Sequence, residues 1–211
     1  MKIRWRGHAS FVIQAAGKQI ITDPFNAELG YPLKPIEADI VMVSHDHWDH
    51  NAVETISGSP RIIKGTGIHD IDGITVKGIG CFHDRNQGRD RGKNTIFKIA
   101  AEGINLVHLG DLGHLLTAGQ IQDIGETDIL CIPVGGKFTI DAADAIKTVQ
   151  ALKPKIVIPM HFSTPHLSFA LAPLEQFTTH FDQVIKKPAL EVTAEELGAE
   201  MRVIVLDYLS S

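Results

Sequence analysis

The chain has 211 residues, 44% hydrophobic and 21% charged, an ordinary globular composition with enough length to enclose a sizeable core. No apolar run approaches the ~20 residues that a membrane-spanning helix needs, and a formal net charge of -5 argues against a broad nucleic-acid-binding face. The N-terminal "MKIRWRGHAS" lacks the charged, apolar and small-residue series of a secretory leader, so the expectation is one soluble, cytoplasmic domain over residues 1–211.

In chain order, "KIRWRGHASFVIQAAGKQIITDP" (2–24) reads as consecutive antiparallel strands around an "AAGK" turn, stopping at Asp23-Pro24. "ADIVMVSH" (38–45) follows as a buried strand. "NAVETISG" (51–58) is expected to form a short helix, with Asn51 as its N-cap and Gly58 as its stop. "RIIKG", "GITVKGIGCFHD", "NTIFKIAAEGINLVHLGD" and "DILCIPVGG" then read as strands, the third a hairpin turned at Glu102-Gly103. "TIDAADAIKTVQALKP" (139–154) carries the strongest helical pattern, capped by Asp141, apolar at Ala142, Ala145, Ile146, Val149 and Leu152, and ended by Pro154. "KIVIPMHF" is a further buried strand, a helix is expected around Leu174 to Phe181, and "MRVIVLDYL" closes the chain as a strand. Strands in blocks with helices between some of them point to two packed sheets with helices outside, an α+β architecture. Cys81 and Cys131 each lie inside an apolar strand and are expected as small buried hydrophobes.

The strand at 38–45 runs into "SHDHWDH", which offers His45, His47, Asp49 and His50 as metal ligands. Residues two apart cannot share a helix face, so a strand end or tight loop must aim them at one point. Imidazole with carboxylate favours zinc or a similar first-row ion, manganese and iron included, at about four ligands per metal. Further ligands are expected where rigid strands end: His83, Asp111 and His161. In this reading His45, His47 and His83 hold one divalent ion and Asp49, His50 and His161 a second, with Asp111 bridging and a hydroxide in the remaining shared position. His69, His108 and His114 compete with His83 for its place.

The order His45-x-His47-x-Asp49-His50, His83, Gly110-Asp111, His161 resembles the metallo-β-lactamase-fold superfamily of metal-dependent hydrolases. The N-terminal "RGHASFVI…ITDPF" and the closing strand are similar to its small stand-alone branch, the ascorbate-phosphate lactonase-related proteins and the uncharacterised metal-dependent hydrolases. The resemblance implies a four-layer αββα sandwich with the metals at one edge of the two sheets. It also places His8 and Asp23 near the site as supporting hydrogen-bond partners; His108 is expected as a packed or supporting histidine. Asp49 would ligate and orient the nucleophile, and Asp111 would fix the spacing of the metals.

After His83, "HDRNQGRDRGKN" carries Arg85, Arg89, Arg91 and Lys93, partly balanced by Asp84 and Asp90. Starting at the metal edge, its cations are suited to a carboxylate or phosphate, and Lys137 and His166 are further candidates to line the cleft. The leading expectation is hydrolysis of a small anionic lactone, ester or phosphoester. A phosphodiesterase or nuclease, a redox di-iron protein and a non-catalytic metal-stabilised binding module are the alternatives. The acidic balance disfavours nucleic acid as partner; self-association is not readable from the chain.

Overall fold

The computed structural model describes residues 1–209. Two sheets pack face to face. In the first, six strands run in the order Leu190–Glu191, Lys2–Gly7, Ser10–Ala15, Lys18–Thr22, Ile40–Val43, Arg61–Lys64. The second has eight: Val184–Lys187, Arg202–Leu206, Ile156–Met160, Ile129–Pro133, Ile104–His108, Lys93–Ala101, Ile74–Phe82, Gly67–Ile71. Each sheet is antiparallel in one half and parallel in the other. The parallel strands Ile129–Pro133 and Ile156–Met160 are buried throughout, which explains their unbroken apolar sequence.

Two-residue hairpin loops join several of the antiparallel neighbours, while residues 83–92 link Ile74–Phe82 to Lys93–Ala101. Glu102-Gly103 turns as expected, with φ of 53° and 73° between the paired Ala101 and Ile104. The "AAGK" turn is of the same kind. Glu102 ties the two together: its carboxylate accepts the Ala16 N–H at 2.8 Å and pairs with the Met1 amino group at 2.8 Å. This anchor joins segments from both sheets.

Ile3, Trp5, Phe11, Ile13, Ile20, Ile40 and Met42 of the first sheet meet Ile74, Val76, Ile96, Ile99 and Leu106 of the second in one continuous core. Cys81 and Cys131 lie in it as free, buried thiols. The helix at Ala142–Leu152, here α2 after α1 at Ala118–Ile124, buries Ala145, Val149 and Leu152 in the same core. Its Asp141 cap accepts the Asp144 N–H at 2.9 Å, as expected.

Three expectations need correction. Residues 51–58 form no α-helix: a 3-10 turn at Val53–Thr55 leads into Ile56–Ser57, paired in parallel with Ile36–Glu37. Val53, Thr55 and Ile56 are β-branched, and so short a helix has too few hydrogen bonds to offset their restriction. Asn51 caps nothing, bonding Asp46 and Lys64 instead. The outer face of the first sheet, formed by Ile21, Val41 and Val43, is covered by Ile36, Ala38, Val53 and Ile56. The helix expected at 174–181 is a single turn, Glu175–Thr178. The strands Gly67–Ile71, Val184–Lys187 and Leu190–Glu191, together with α1, had no recognised sequence signal.

Candidate metal centre

Six strand ends converge at one edge of the sandwich. The first sheet delivers His8 after Gly7, Asp23 after Thr22, and His45 to His50 after Val43; the second delivers His83, Asp111 and His161. His8, Asp23 and His161 have φ of 52°, 38° and 53°, left-handed values unusual for these residues. Backbone strain of this kind persists where surrounding structure enforces it and concentrates at functional sites.

Asp111 is the hub. Its Oδ2 lies 3.1 Å from His83 Nε2, 3.2 Å from His161 Nε2, 3.3 Å from His50 Nε2 and 3.9 Å from His45 Nε2. Three donor groups gather here, each within 4.8 Å: His45, His47 and His83; His8, Asp49, His50 and His161; and His45, His50 and Asp111. The first matches the partition expected from sequence. The second adds His8, expected only as a support, whose Nε2 is 3.2 Å from Asp49 Oδ2.

Hydrogen bonds behind the rings decide which nitrogen faces inward. Asp23 accepts from the Ser44 N–H at 2.7 Å, the Ser44 hydroxyl at 2.7 Å and His50 Nδ1 at 3.1 Å, which turns His50 Nε2 to the centre. Because the Ser44 hydroxyl donates to Asp23, it accepts from His45 Nδ1 at 2.9 Å, and His45 Nε2 also faces inward. His108 is excluded as a ligand by its satisfied ring: Nε2 donates to the Ala9 carbonyl at 2.8 Å and Nδ1 accepts the Gly110 N–H at 3.1 Å. His69 lies on the edge strand, and His114 accepts the Phe82 N–H at 3.2 Å. His83 alone of the four competitors enters the cluster.

His45 Nε2, His50 Nε2, His161 Nε2 and Asp111 Oδ1 are buried with no hydrogen-bond partner. Orphaned polar atoms in a dry interior are costly and rare, and imidazole nitrogens gathered around the Asp111 carboxylate fit a bound cation. Nitrogen donors with carboxylates suit a zinc-like ion. The electrostatics agree. Burial holds His8 and His45 neutral, lowering each to about 3. Burial alone would raise the Asp111 carboxyl, but His161 and His50 outweigh it and hold the group well below its usual range. Burial opposes charging of His50, yet Asp111 and Asp23 raise its pKa well above 6.5. The carboxylates thus demand positive charge at the centre.

Sequence reasoning missed Asn94, buried at the start of its strand. Its Nδ2 donates to the Leu109 carbonyl at 2.9 Å and its Oδ1 accepts the Asp111 N–H at 3.0 Å, fixing the segment that presents the hub. Missed too were the aromatic walls. Trp48, 49% exposed, meets Phe169 at 6.5 Å between ring centroids; Phe169 in turn meets Phe138 at 5.6 Å and His8 at 5.9 Å. A tryptophan held in the open inside a ligand loop was the available signal.

The cationic loop is not a mobile strap. The Asp84 carboxylate accepts the backbone N–H groups of Asn86, Gly88, Asp90 and Arg91, which fixes the loop's path. Arg85 pairs with Asp144 of α2 at 2.6 Å and is not among the residues lining the cavity beside the cluster. His166 lies beside Tyr31 and Tyr208, at 5.5 and 5.0 Å between ring centroids. Lys137 lies over the Phe138 ring at 5.0 Å. Arg91 and Lys93 line a cavity of about 850 Å³ with His45, His47 and Lys64, and the Arg91 guanidinium lies 4.5 Å from the Phe138 ring centroid. Arg89 is not among its lining residues.

The profile of the beta-lactamase superfamily domain matches residues 2–161, which contain every donor just described. The chain belongs to that superfamily. Among relatives within it, a UPF0173 metal-dependent hydrolase of Methanopyrus kandleri is 26% identical over 98% of this chain and 97% of its own length. One from Carboxydothermus hydrogenoformans is 31% identical over 78% of this chain and 85% of its own. A Thermotoga maritima protein, ascribed to the Zn-dependent hydrolases of the metallo-beta-lactamase superfamily, superposes with a TM-score of 0.83 at 38% identity, covering 97% of both chains. The sandwich is thus the metallo-β-lactamase fold.

Close backbone approach holds this superfamily edge together. A Cβ at Gly113 would strike the His83 carbonyl and the Asp84 nitrogen, both backbone. Gly113→Ala is expected to cost about 2–3 kcal/mol by overpacking and to move His83 from Asp111. Urea unfolding with metal analysis checks this; unchanged midpoint and metal content would refute the contact.

Proposed function

We propose that residues 1–211 act as one metallo-hydrolase domain that cleaves a small anionic lactone, ester or phosphoester at a two-ion centre suited to zinc. The observation that carries the reading is the convergence of orphaned imidazole nitrogens and an orphaned carboxylate oxygen on Asp111. His45, His47 and His83 would hold one ion, Asp49, His50 and His161 the other, and Asp111 both. When bound, such ions lower the pKa of water and polarise a carbonyl or phosphoryl oxygen.

The chain's own residues supply the rest. Asp49 is the more open of the two central carboxylates, its side chain 13% exposed against 2% for Asp111, and one oxygen is already steadied by His8. It is the group placed to orient an attacking water. Lys64 is held by Asp46 and Asn51, whereas Arg91 stacks on Phe138 with the edge of its fork left for an anion. Trp48, Phe138 and Phe169 form an apolar wall against water. A cavity of this size, with cations on one side, favours a small substrate over a polymer.

Elemental mass spectrometry on protein purified without chelator, followed by a panel of lactones, esters and phosphoesters, tests the reading. About two zinc, manganese or iron ions per chain and metal-dependent turnover of an anionic member are expected. One ion or none after metal is supplied would sink the two-ion centre, and preferential cleavage of single-stranded RNA would favour a nuclease.

A further inference from the structure

Strand alternation gives the first strand two different faces. Ile3 and Trp5 point into the core between the sheets, so Arg4 and Arg6 stand side by side on the outer face. There they line a second cavity of about 170 Å³, shared with Pro32, Lys34 and Tyr208. None of its lining residues belongs to the metal cluster.

Arg6 is only 5% exposed, yet among the described residues its side chain makes one hydrogen bond, from Nη1 to the Ser10 hydroxyl at 3.4 Å. Its guanidinium lies 5.7 Å from the Phe25 ring centroid, an apolar contact that satisfies no donor. Arg4 Nε is likewise buried without a partner. Among the described residues no carboxylate pairs with Arg4, Arg6 or Lys34. Two guanidinium forks with unused donors at a concave site, beneath a lysine, are the elements of an oxyanion site. A cavity of about 170 Å³ suits a small ligand such as one phosphate or carboxylate group.

We propose that Arg4, Arg6 and Lys34 bind a small oxyanion, phosphate or carboxylate, on the outer face of the first sheet, at a site separate from the metal centre. The occupant would clamp three segments distant in sequence: the first strand, the 32–36 loop and the chain at Tyr208, whose hydroxyl donates to the Pro32 carbonyl.

The test is calorimetric titration of the metal-loaded protein with inorganic phosphate at constant ionic strength, beside thermal unfolding. Wild type is expected to bind and to gain melting temperature. Arg4→Gln/Arg6→Gln, and Lys34→Gln at the exposed rim, are expected to bind about tenfold more weakly or worse, the loss of one charged hydrogen bond. The rim variant serves if the double variant fails to fold. Binding undiminished in both variants would place the phosphate at the metals and overturn the proposal. So would no binding by wild type.

Discussion

Asp111→Ala is expected to reduce metal content below one ion per chain and to lower turnover by a factor on the order of a thousand or more, the scale seen when one member of a catalytic unit is removed. The reason is geometric. Its side chain, 2% exposed, is the one carboxylate within 3.9 Å of imidazoles from four different residues, so it serves both donor groups at once. Losing His47, half-buried at the rim, would remove one donor from one group. Losing Asp111 removes the shared donor and the negative charge that balances either ion. The fold should survive, because the Asp111 N–H remains anchored to Asn94 and alanine adds no bulk. Elemental analysis, circular dichroism and turnover with the identified substrate check the three parts. Full activity with full metal would remove Asp111 from the centre.

The donor set was legible because each donor follows an apolar strand and marks where it stops. Val41 to Val43, Ile79 to Phe82, Leu106 to Leu109 and Ile156 to Met160 are runs that must be buried, and a histidine or aspartate at such an end has few other reasons to be there. Other contributions had no comparable signal. Phe138 and Phe169 come from irregular segments with no period, and only the folded path brings them beside Trp48. Asn94 reads as one more polar residue at a strand start; its role appears when the Leu109–Asp111 backbone passes it. The pairing of Arg85 with Asp144 was hidden for a similar reason. Charge counting treats the loop's cations as equivalent, whereas the four N–H groups collected by Asp84 set a backbone path that sends Arg85 to α2 and Arg91 to the cavity. The missing helix at 51–58 shows local propensity prevailing: Ile56 is better used in a strand that covers Val41 and Val43.

Metal-stripped protein is expected to lose stability steeply as pH falls from about 6.5 towards 3. His8 and His45 are lowered from 6.5 to about 3, so in this window the unfolded chain binds protons that the folded chain refuses. Their contribution is complete above 6.5 and disappears as pH drops through the folded values. His108, satisfied at both nitrogens and also lowered by burial, acts in the same direction. Asp111 and Asp49 have depressed pKa values; their stabilisation is present above the ordinary 3.8 and is lost only in stronger acid. His50 has the opposite sign. Its raised pKa contributes stability below 6.5 that is lost as pH rises through the folded value, so it limits the alkaline side and offsets part of the acid loss. With three buried rings, His8, His45 and His108, against one, the net effect between pH 7 and pH 5 is a loss on the order of a few kcal/mol. Urea midpoints at the two pH values, on protein freed of metal, measure it. A flat profile would mean that these rings are not held neutral by burial. Reloading metal should steepen the loss, since ligating imidazoles must also be neutral and acid then displaces the ions together with the fold they support.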